Sequence, residues 1–262
     1  MRIFINIGGT NYIFSKLVFQ IFNMAIQPWR VGKVIKIENE TSDTRRFWIE
    51  VPELTSFDFI PGQFVTLDLP IHEKPNKRWR SYSIASCPDD TNVFELVIVL
   101  DNNGLGTPYL FNEVVVGSEI TLRGPQGVFM LKEPIDEDLV LICTGTGIAP
   151  FRSMIQNIKN KQIPHKNIYL VFGCRTKTSL LYFEEMKTLQ NELTNFHYIP
   201  TLSREQWDGH TGYVHSAYEL LCIDKHPAKF FLCGWRGMID EARKRIVDMG
   251  YDKKAIHFEI YG

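Results

Sequence analysis

The sequence predicts two domains of different class: an antiparallel β-barrel over residues 27–134 and a parallel α/β sheet over residues 135–262. Three observations carry this. Short apolar stretches, several of them alternating, are separated by turn residues through the first half, the pattern of an antiparallel barrel or sandwich. Beyond Pro134 the pattern changes to near-continuous apolar runs alternating with helical spacing, as buried parallel strands and their crossover helices require. The change falls at Glu133-Pro-Ile-Asp136, a polar stretch carrying a proline, which suits a linker.

Taken in order, residues 33–38 alternate loosely and residues 44–51 do so in part, while 63–69 and 93–100 are rich in Val, Leu, Ile and Phe. Pro61-Gly62, Pro88-Asp-Asp90, Asn102-Asn-Gly104 and Gly124-Pro125 supply turn chemistry between strands. In the second half, residues 138–143 form an apolar run that ends in a Gly/Thr loop. Phe151, Met154, Ile155 and Ile158 then recur at helical spacing over residues 150–161, with Pro150 in the first turn. Further strands are expected over 167–172, 195–202, 229–233 and 255–260, and further helices over 179–193 and 238–249.

Hydrophobic residues make up 44% and charged residues 23%, enough apolar material for two cores in an ordinary globule. The formal net charge of −1 provides no global field for nucleic acid or an anionic membrane, so neither partner is expected. Cys87, Cys143, Cys174, Cys222 and Cys233 are odd in number, widely spaced and without a Cys-x-x-Cys pair. That argues against a zinc ribbon, a chain-borne iron–sulfur cluster and a disulfide framework; no metal site is expected, and a cytoplasmic setting fits.

Residues 1–26 stand apart as an N-terminal extension. They lean apolar but are broken by Asn6, Gly8, Gly9, Asn11, Lys16, Gln20 and Asn23, and the longest clean run is too short to span a bilayer. A single Arg2 and no small-residue cleavage site disfavour a secretory signal. The preferred reading is an extended reading frame with its natural start at Met24-Ala25; a membrane-surface anchor is the alternative.

Two stretches carry candidate chemistry. Thr144-Gly-Thr-Gly-Ile-Ala-Pro150 joins a buried strand to a helix through a loop with two glycines. Glycines admit close backbone approach, and a helix N-terminus presents free N–H groups and partial positive charge, so a pyrophosphate is the natural occupant. The stretch is not Gly-x-Gly-x-x-Gly, and a tight turn without ligand is the competing reading. Arg78-Trp-Arg80-Ser-Tyr82-Ser83 places Arg80 and Tyr82 on one face of an extended segment and Ser81 and Ser83 on the other. It offers a cation for a phosphate and a ring for stacking, yet alone it reads as a polar strand edge.

In sequence order, Arg80-x-Tyr82-Ser83, Gly124-Pro-x-Gly127, Thr144-Gly-Thr-Gly-Ile-Ala-Pro150, Cys233-Gly-Trp-Arg-Gly-Met238 and Phe258-Glu259-Ile-Tyr261-Gly262 resemble the ferredoxin–NADP reductase superfamily. The resemblance runs from about residue 29 to the end, and it rests on five motifs in the right order rather than on any one of them. It implies an FAD-binding barrel followed by a nucleotide domain. Arg80 would hold the FAD pyrophosphate, Tyr82 would stack on the isoalloxazine, and Ser83 would hydrogen-bond near its N5. Val97 and Val99 would line the flavin as a strand, with Gly104 and Thr107 completing the diphosphate site. Thr144, Gly145, Thr146, Gly147 and Pro150 would cradle the nicotinamide dinucleotide's pyrophosphate, and Gly234 and Met238 would belong to the segment beside its nicotinamide. Cys233 and Glu259 would be the polar groups at the reacting centre, and Tyr261 would cover the second flavin face. Gly262 extends one residue past the family's terminal Glu-x-Tyr.

NADPH is favoured over NADH by Ser203 and Arg204 after one strand and Arg175 after another, because a 2′-phosphate seeks arginines and hydroxyls. The implied reaction exchanges electrons between NADPH and a one-electron carrier such as ferredoxin or flavodoxin. The alternatives are the reductase component of a multicomponent oxygenase and a non-catalytic flavin-binding electron-transfer subunit. An acidic carrier would dock on basic residues, for which Lys74, Lys77, Arg78 and Arg243-Lys-Arg245 are candidates.

Overall fold

The computed structural model describes residues 3–7, 10–14 and 27–261. The proposed start at Met24-Ala25 and the extra Gly262 lie outside the described residues. Within residues 1–26, β1 (Ile3–Ile7) pairs antiparallel with β2 (Thr10–Phe14), with Ile7 opposite Thr10.

Six strands build the first sheet: β3 (Arg30–Asn39), β4 (Thr44–Glu50), β5 (Phe64–Asp68), β6 (Trp79–Ser83), β7 (Val93–Val99) and β8 (Glu119–Gln126). All its pairings are antiparallel, in the order β6-β5-β8-β3-β4-β7. Just past β6, the Ala85 N–H donates to the Glu95 carbonyl of β7 at 2.8 Å, drawing the two edge strands together and curling the sheet into a barrel. Inside lie Val34, Phe47, Ile49, Val65, Leu67, Phe94, Leu96 and Leu122, each a branched or aromatic side chain suited to a pleated surface. Full burial of each contributes about 1.5–3 kcal/mol. A short helix, α1 (Gly106–Asn112), bridges β7 and β8.

The second sheet is parallel throughout, in the order β12-β11-β10-β9-β13-β14. Its strands are β9 (Asp138–Thr144), β10 (Ile168–Cys174), β11 (Phe196–Leu202), β12 (His210–Thr211), β13 (Ala228–Trp235) and β14 (Ile256–Tyr261). Helices cover both faces. Leu139, Leu141, Cys143, Phe172 and Phe231 pack with α2 (Ile148–Asn160) and α3 (Phe183–Glu192). Val140, Ile142, Val171, Phe230 and Leu232 pack with α4 (Val214–Leu221) and α5 (Arg236–Asp248). Burial on both faces is why β9 reads as an unbroken apolar run.

The departures from expectation are local. The helix expected from Pro150 starts at Ile148 and follows a 3-10 turn over Gly145–Gly147, so Pro150 is its third residue. The helix expected from residue 179 starts at Phe183, because Tyr182 holds a left-handed backbone with φ +53° that no helix continues through. Strand β8 went unread: it runs through Gly124-Pro125, which as a dipeptide signals a turn. Helices α1 and α4 are additions, although Val214, Ala217, Tyr218 and Leu221 keep helical spacing. Among the described residues, no helix is long and apolar enough to cross a membrane.

Candidate functional site

The barrel and the parallel sheet meet where the C-terminal strand reaches β6. Ser83 is the last residue of β6 and is buried. Its hydroxyl donates to Glu259 Oε1 at 2.7 Å and accepts from the Tyr261 hydroxyl at 2.6 Å. Glu259 and Tyr261 alternate along β14, opposite Cys233 and Trp235 of β13. Burial raises the Glu259 carboxyl above its usual range, opposed by the Ser83 hydrogen bond. Burial pushes the Cys233 thiol well up, reinforced by the Glu259 charge and opposed by a hydrogen bond with Tyr261. Cys233 is therefore a neutral thiol, inert as a nucleophile. Burial likewise drives the Tyr261 phenol well up, with the Cys233 and Glu259 charges adding. The four groups Ser83, Glu259, Tyr261 and Cys233 thus form one connected polar cluster. A carboxyl raised in this way can hold a proton, and its neighbour Ser83 can both accept and donate one.

The loop after β9 folds directly onto this cluster. A Cβ at Gly147 would overlap the Cys233 carbonyl oxygen, so only glycine lets the loop sit against the end of β13. Gly234 reciprocates with φ +155°; a Cβ there would lie 2.6 Å from Thr144 Oγ1 and 2.8 Å from the Met238 methyl. Thr144, Gly147, Cys233, Gly234 and Met238 are therefore mutual neighbours. Gly145, by contrast, has φ +52° and open space above it. Thr146 lies between the two glycines in the 3-10 turn, whose end runs straight into the N-terminus of α2, with Pro150 buried beneath. Free N–H groups and open space at a helix start suit an anion.

On the barrel, Tyr82 is half-buried and sits opposite Val65 of β5. The Arg80 guanidinium donates to the Lys77 and Trp79 carbonyls at 3.1 and 2.8 Å and has no carboxylate partner among the described residues. Gly106, at the start of α1, lies under it: a Cβ there would stand 3.0 Å from Arg80 Cγ. The close approach is made by Gly106, whereas the sequence pointed to Gly104. Gly104 lies in the turn after β7, its N–H donating to the Asp101 carbonyl. The Thr107 hydroxyl is engaged by its own loop, accepting from Asp101 N–H at 2.8 Å. Val97 is buried among Ala85, Cys143 and Phe151 at the seam, while Val99 is 39% exposed further along β7.

At the outer strand ends, Ser203 and Arg204 are held by their N–H bonds to the Cys174 and Arg175 carbonyls. Ser203, Arg204, Glu205, Gln206, Thr211 and Gly212 line a cleft of about 350 Å³. Glu205 accepts from the Lys177 N–H at 2.8 Å. Arg175 and Arg204 are exposed and form no ion pair among the described residues. Of the basic surface residues, Arg78 is bound by both oxygens of Asp68, and Arg245 pairs with Glu219 and Glu241. Lys74, Lys77 and Lys244 are exposed.

The sequence did not single out the buried charges at the seam. Glu95 on β7 is 2% exposed and accepts from Arg46 Nε at 2.6 Å, Arg152 Nη1 at 3.0 Å and the Tyr182 hydroxyl at 2.7 Å. Burial alone would raise its pKa, but Arg46 and Arg152 hold it below the usual carboxylate range. The one available signal was a carboxylate in the middle of the apolar run Val93-Phe-Glu-Leu-Val-Ile-Val99.

Comparison with known proteins agrees with both halves. Residues 31–131 match the family described as the oxidoreductase FAD-binding domain, and residues 141–244 match the oxidoreductase NAD-binding domain. Ferredoxin–NADP reductase B of Sorangium cellulosum is 31% identical over 88% of this chain and 96% of its own length. The anthranilate 1,2-dioxygenase electron transfer component of Acinetobacter baylyi is 32% identical, over 71% of this chain and 53% of its own. The chain spans only about half the length of that relative and of the phenol hydroxylase P5 protein of Acinetobacter pittii. Among solved structures, a ferredoxin NADP+ reductase from Neisseria gonorrhoeae with bound FAD and NADP superposes with a TM-score of 0.75 at 25% identity, covering 88% of this chain and 98% of that one. With an FAD-type barrel, a nucleotide-type parallel sheet and a near-full-length relative in agreement, the chain belongs to the ferredoxin–NADP reductase superfamily of FAD- and NAD(P)-binding oxidoreductases.

Proposed function

We propose that the protein takes electron pairs from NADPH and passes them singly to a separate carrier protein such as ferredoxin or flavodoxin. The observation that carries this reading is the cluster of Ser83, Glu259, Tyr261 and Cys233 at the seam of the barrel and the parallel sheet. In this reading residues 27–134 form the FAD-binding unit and residues 135–262 the nucleotide-binding unit. A cytoplasmic setting, where NADPH and free thiols are maintained, suits it.

The residues fit the cofactors. Arg80, without a carboxylate partner among the described residues and lying over Gly106, has the charge and the clearance for the FAD diphosphate. Tyr82 supplies a ring for the isoalloxazine, and Val97 and Val99 the adjoining strand. Bound FAD supplies the ability to take electrons in pairs and release them one at a time. Ser83 would offer its hydroxyl to the flavin, backed by the buried Glu259 carboxyl, whose pKa burial raises. The loop from Thr144 to Pro150 would hold the nucleotide's pyrophosphate at the start of α2. Cys233, Gly234 and Met238 would hold the nicotinamide, and the Tyr261 ring would give way to it. Arg204, Ser203 and Arg175 favour a 2′-phosphate, although Glu205 stands in the same cleft. Lys74 and Lys77 offer free positive charge to an acidic carrier.

The test is an anaerobic titration of the purified yellow protein with NADPH and with NADH, followed by reduction of added ferredoxin and flavodoxin. Bleaching by NADPH at the lower concentration, then carrier reduction, is expected. A protein that takes up no FAD would overturn the reading. A yellow protein reduced by neither nucleotide would favour the non-catalytic electron-transfer subunit. A second reading, service to an oxygenase, is favoured by the relatives named as dioxygenase electron transfer components. It predicts an oxygenase component as acceptor in place of a free carrier.

A further inference from the structure

We propose that Arg152 is a positioning residue for electron transfer from the nucleotide, fixing the flavin-side segment after Ser83 against the pyrophosphate loop. The inference rests on the reductase reading above. Arg152 lies two residues beyond Pro150 on α2, and Ala85 lies two residues beyond Ser83. Arg152 Nη1 donates to the Ala85 carbonyl at 2.8 Å and to Glu95 Oε2 at 3.0 Å. Its Nε and Nη2 grip both oxygens of Glu185 at 2.8 and 2.9 Å. A planar guanidinium bound on two edges cannot pivot, as a lysine could.

The acceptors are as fixed as the donor. The Ala85 N–H is bonded to the Glu95 carbonyl, and the Glu95 N–H to Ser86 Oγ at 3.0 Å. Arg46 grips the Glu95 carboxylate with two nitrogens. The Tyr182 ring lies against the Arg152 guanidinium at 4.3 Å and the Arg46 guanidinium at 4.9 Å. The lever between the two halves of the site is therefore a few residues of locked backbone on each side. Misplacing reacting groups by about 1 Å costs about a hundredfold in rate, so loosening this joint should slow transfer without weakening binding.

The experiment compares the wild-type protein with Arg152→Met, Arg152→Lys and Glu185→Gln, in two ways. Stopped-flow reduction by NADPH should show the limiting rate for Arg152→Met falling about ten- to a hundredfold, with NADPH affinity and FAD content held. Arg152→Lys should recover part of the loss, and Glu185→Gln, which removes only the outer grip, should stay near wild type. Amide hydrogen exchange in the FAD-free and FAD-bound protein should accelerate at residues 84–86 in Arg152→Met. A wild-type limiting rate in Arg152→Met, a loss confined to NADPH affinity, or unchanged exchange at residues 84–86 would overturn the proposal. If Arg152→Met fails to fold, Arg152→Lys decides on the same two readouts. Wild-type flavin that neither nucleotide reduces overturns the reductase reading instead, and the exchange measurement still judges the joint.

Discussion

Ser83 Oγ donates to Glu259 Oε1 at 2.7 Å, across 176 positions of sequence. The bond ties the edge strand of the barrel to the edge strand of the parallel sheet, and Tyr261 completes it from the same side. Its energetics follow from burial: Glu259 is desolvated, its single strong partner is a neutral hydroxyl, and its pKa is raised.

The raised pKa fixes the sign of a pH effect. A carboxyl with a higher pKa folded than unfolded contributes stability fully present below the unfolded value, about 4.3, and lost as pH rises through the folded value. Glu259→Gln is neutral at every pH. Its thermal midpoint, measured without nucleotide, should gain on wild type as pH rises from 4 to 8. A midpoint difference that stays constant over that range contradicts the assignment.

Cys233 sits neutral and buried between Gly147 and Tyr261, so its contribution is contact and not nucleophilic attack. Cys233→Ser should keep FAD and slow flavin reduction by NADPH by about tenfold, of the order of one lost contact worth about 1.4 kcal/mol. An unchanged stopped-flow rate rules out a role in the transfer.

Gly147→Ala places a methyl group on the Cys233 carbonyl. Relief requires moving either the loop or the end of β13, at a cost of about 1–3 kcal/mol. NADPH affinity should fall while the FAD spectrum is kept, because the barrel is untouched. Calorimetric titration checks this, and simultaneous FAD loss would mean the strain spreads across the seam.

Arg204→Ala should weaken NADPH by about ten- to a hundredfold, the loss of one charge-assisted bond of about 1.5–3 kcal/mol, and leave NADH nearly unchanged. Fluorescence titration with both nucleotides measures it. Equal losses for both would show that Arg204 does not meet the 2′-phosphate.

Glu95→Ala removes the buried carboxylate that the Arg152 and Arg46 guanidinium groups share. Removing one member of such a buried group costs about 3–5 kcal/mol. Urea unfolding should show a lower midpoint, and a change under about 1 kcal/mol would place the pair among exposed ion pairs of little consequence.

Much of this was legible in the sequence because period and punctuation are local. The apolar run of β9, the helical spacing of α2 and the glycines after Thr144 depend on near neighbours, and the structure has them within a few residues of the expected places. The gathering of Ser83, Cys233, Glu259 and Tyr261 came through motif order, since Ser83 and Glu259 are 176 positions apart and nothing local encodes their contact. What stayed hidden was long-range and polar. Tyr182 leaves helical geometry to aim its hydroxyl at Glu95, a residue in the other half of the chain. Thr107 looked available until its hydroxyl proved to be occupied by Asp101, and Gly106 was overlooked because its reason is the Arg80 side chain above it.

Ala85 gives its amide to the barrel and its carbonyl to Arg152. Both are main-chain groups, so the barrel's half of that contact is specified by backbone position and not by a side chain at residue 85. The side chains that specify the joint are Arg152 in the nucleotide half and Glu95 in the barrel. A chimera that grafts this parallel sheet onto a relative's barrel would carry Arg152 and Tyr182 with it, and needs from the new barrel both a correctly placed peptide carbonyl and a carboxylate where Glu95 stands. Exchange of either half is therefore constrained at one residue of the barrel: a new barrel is tolerated at position 85 whatever its side chain, but not without a carboxylate at the Glu95 position.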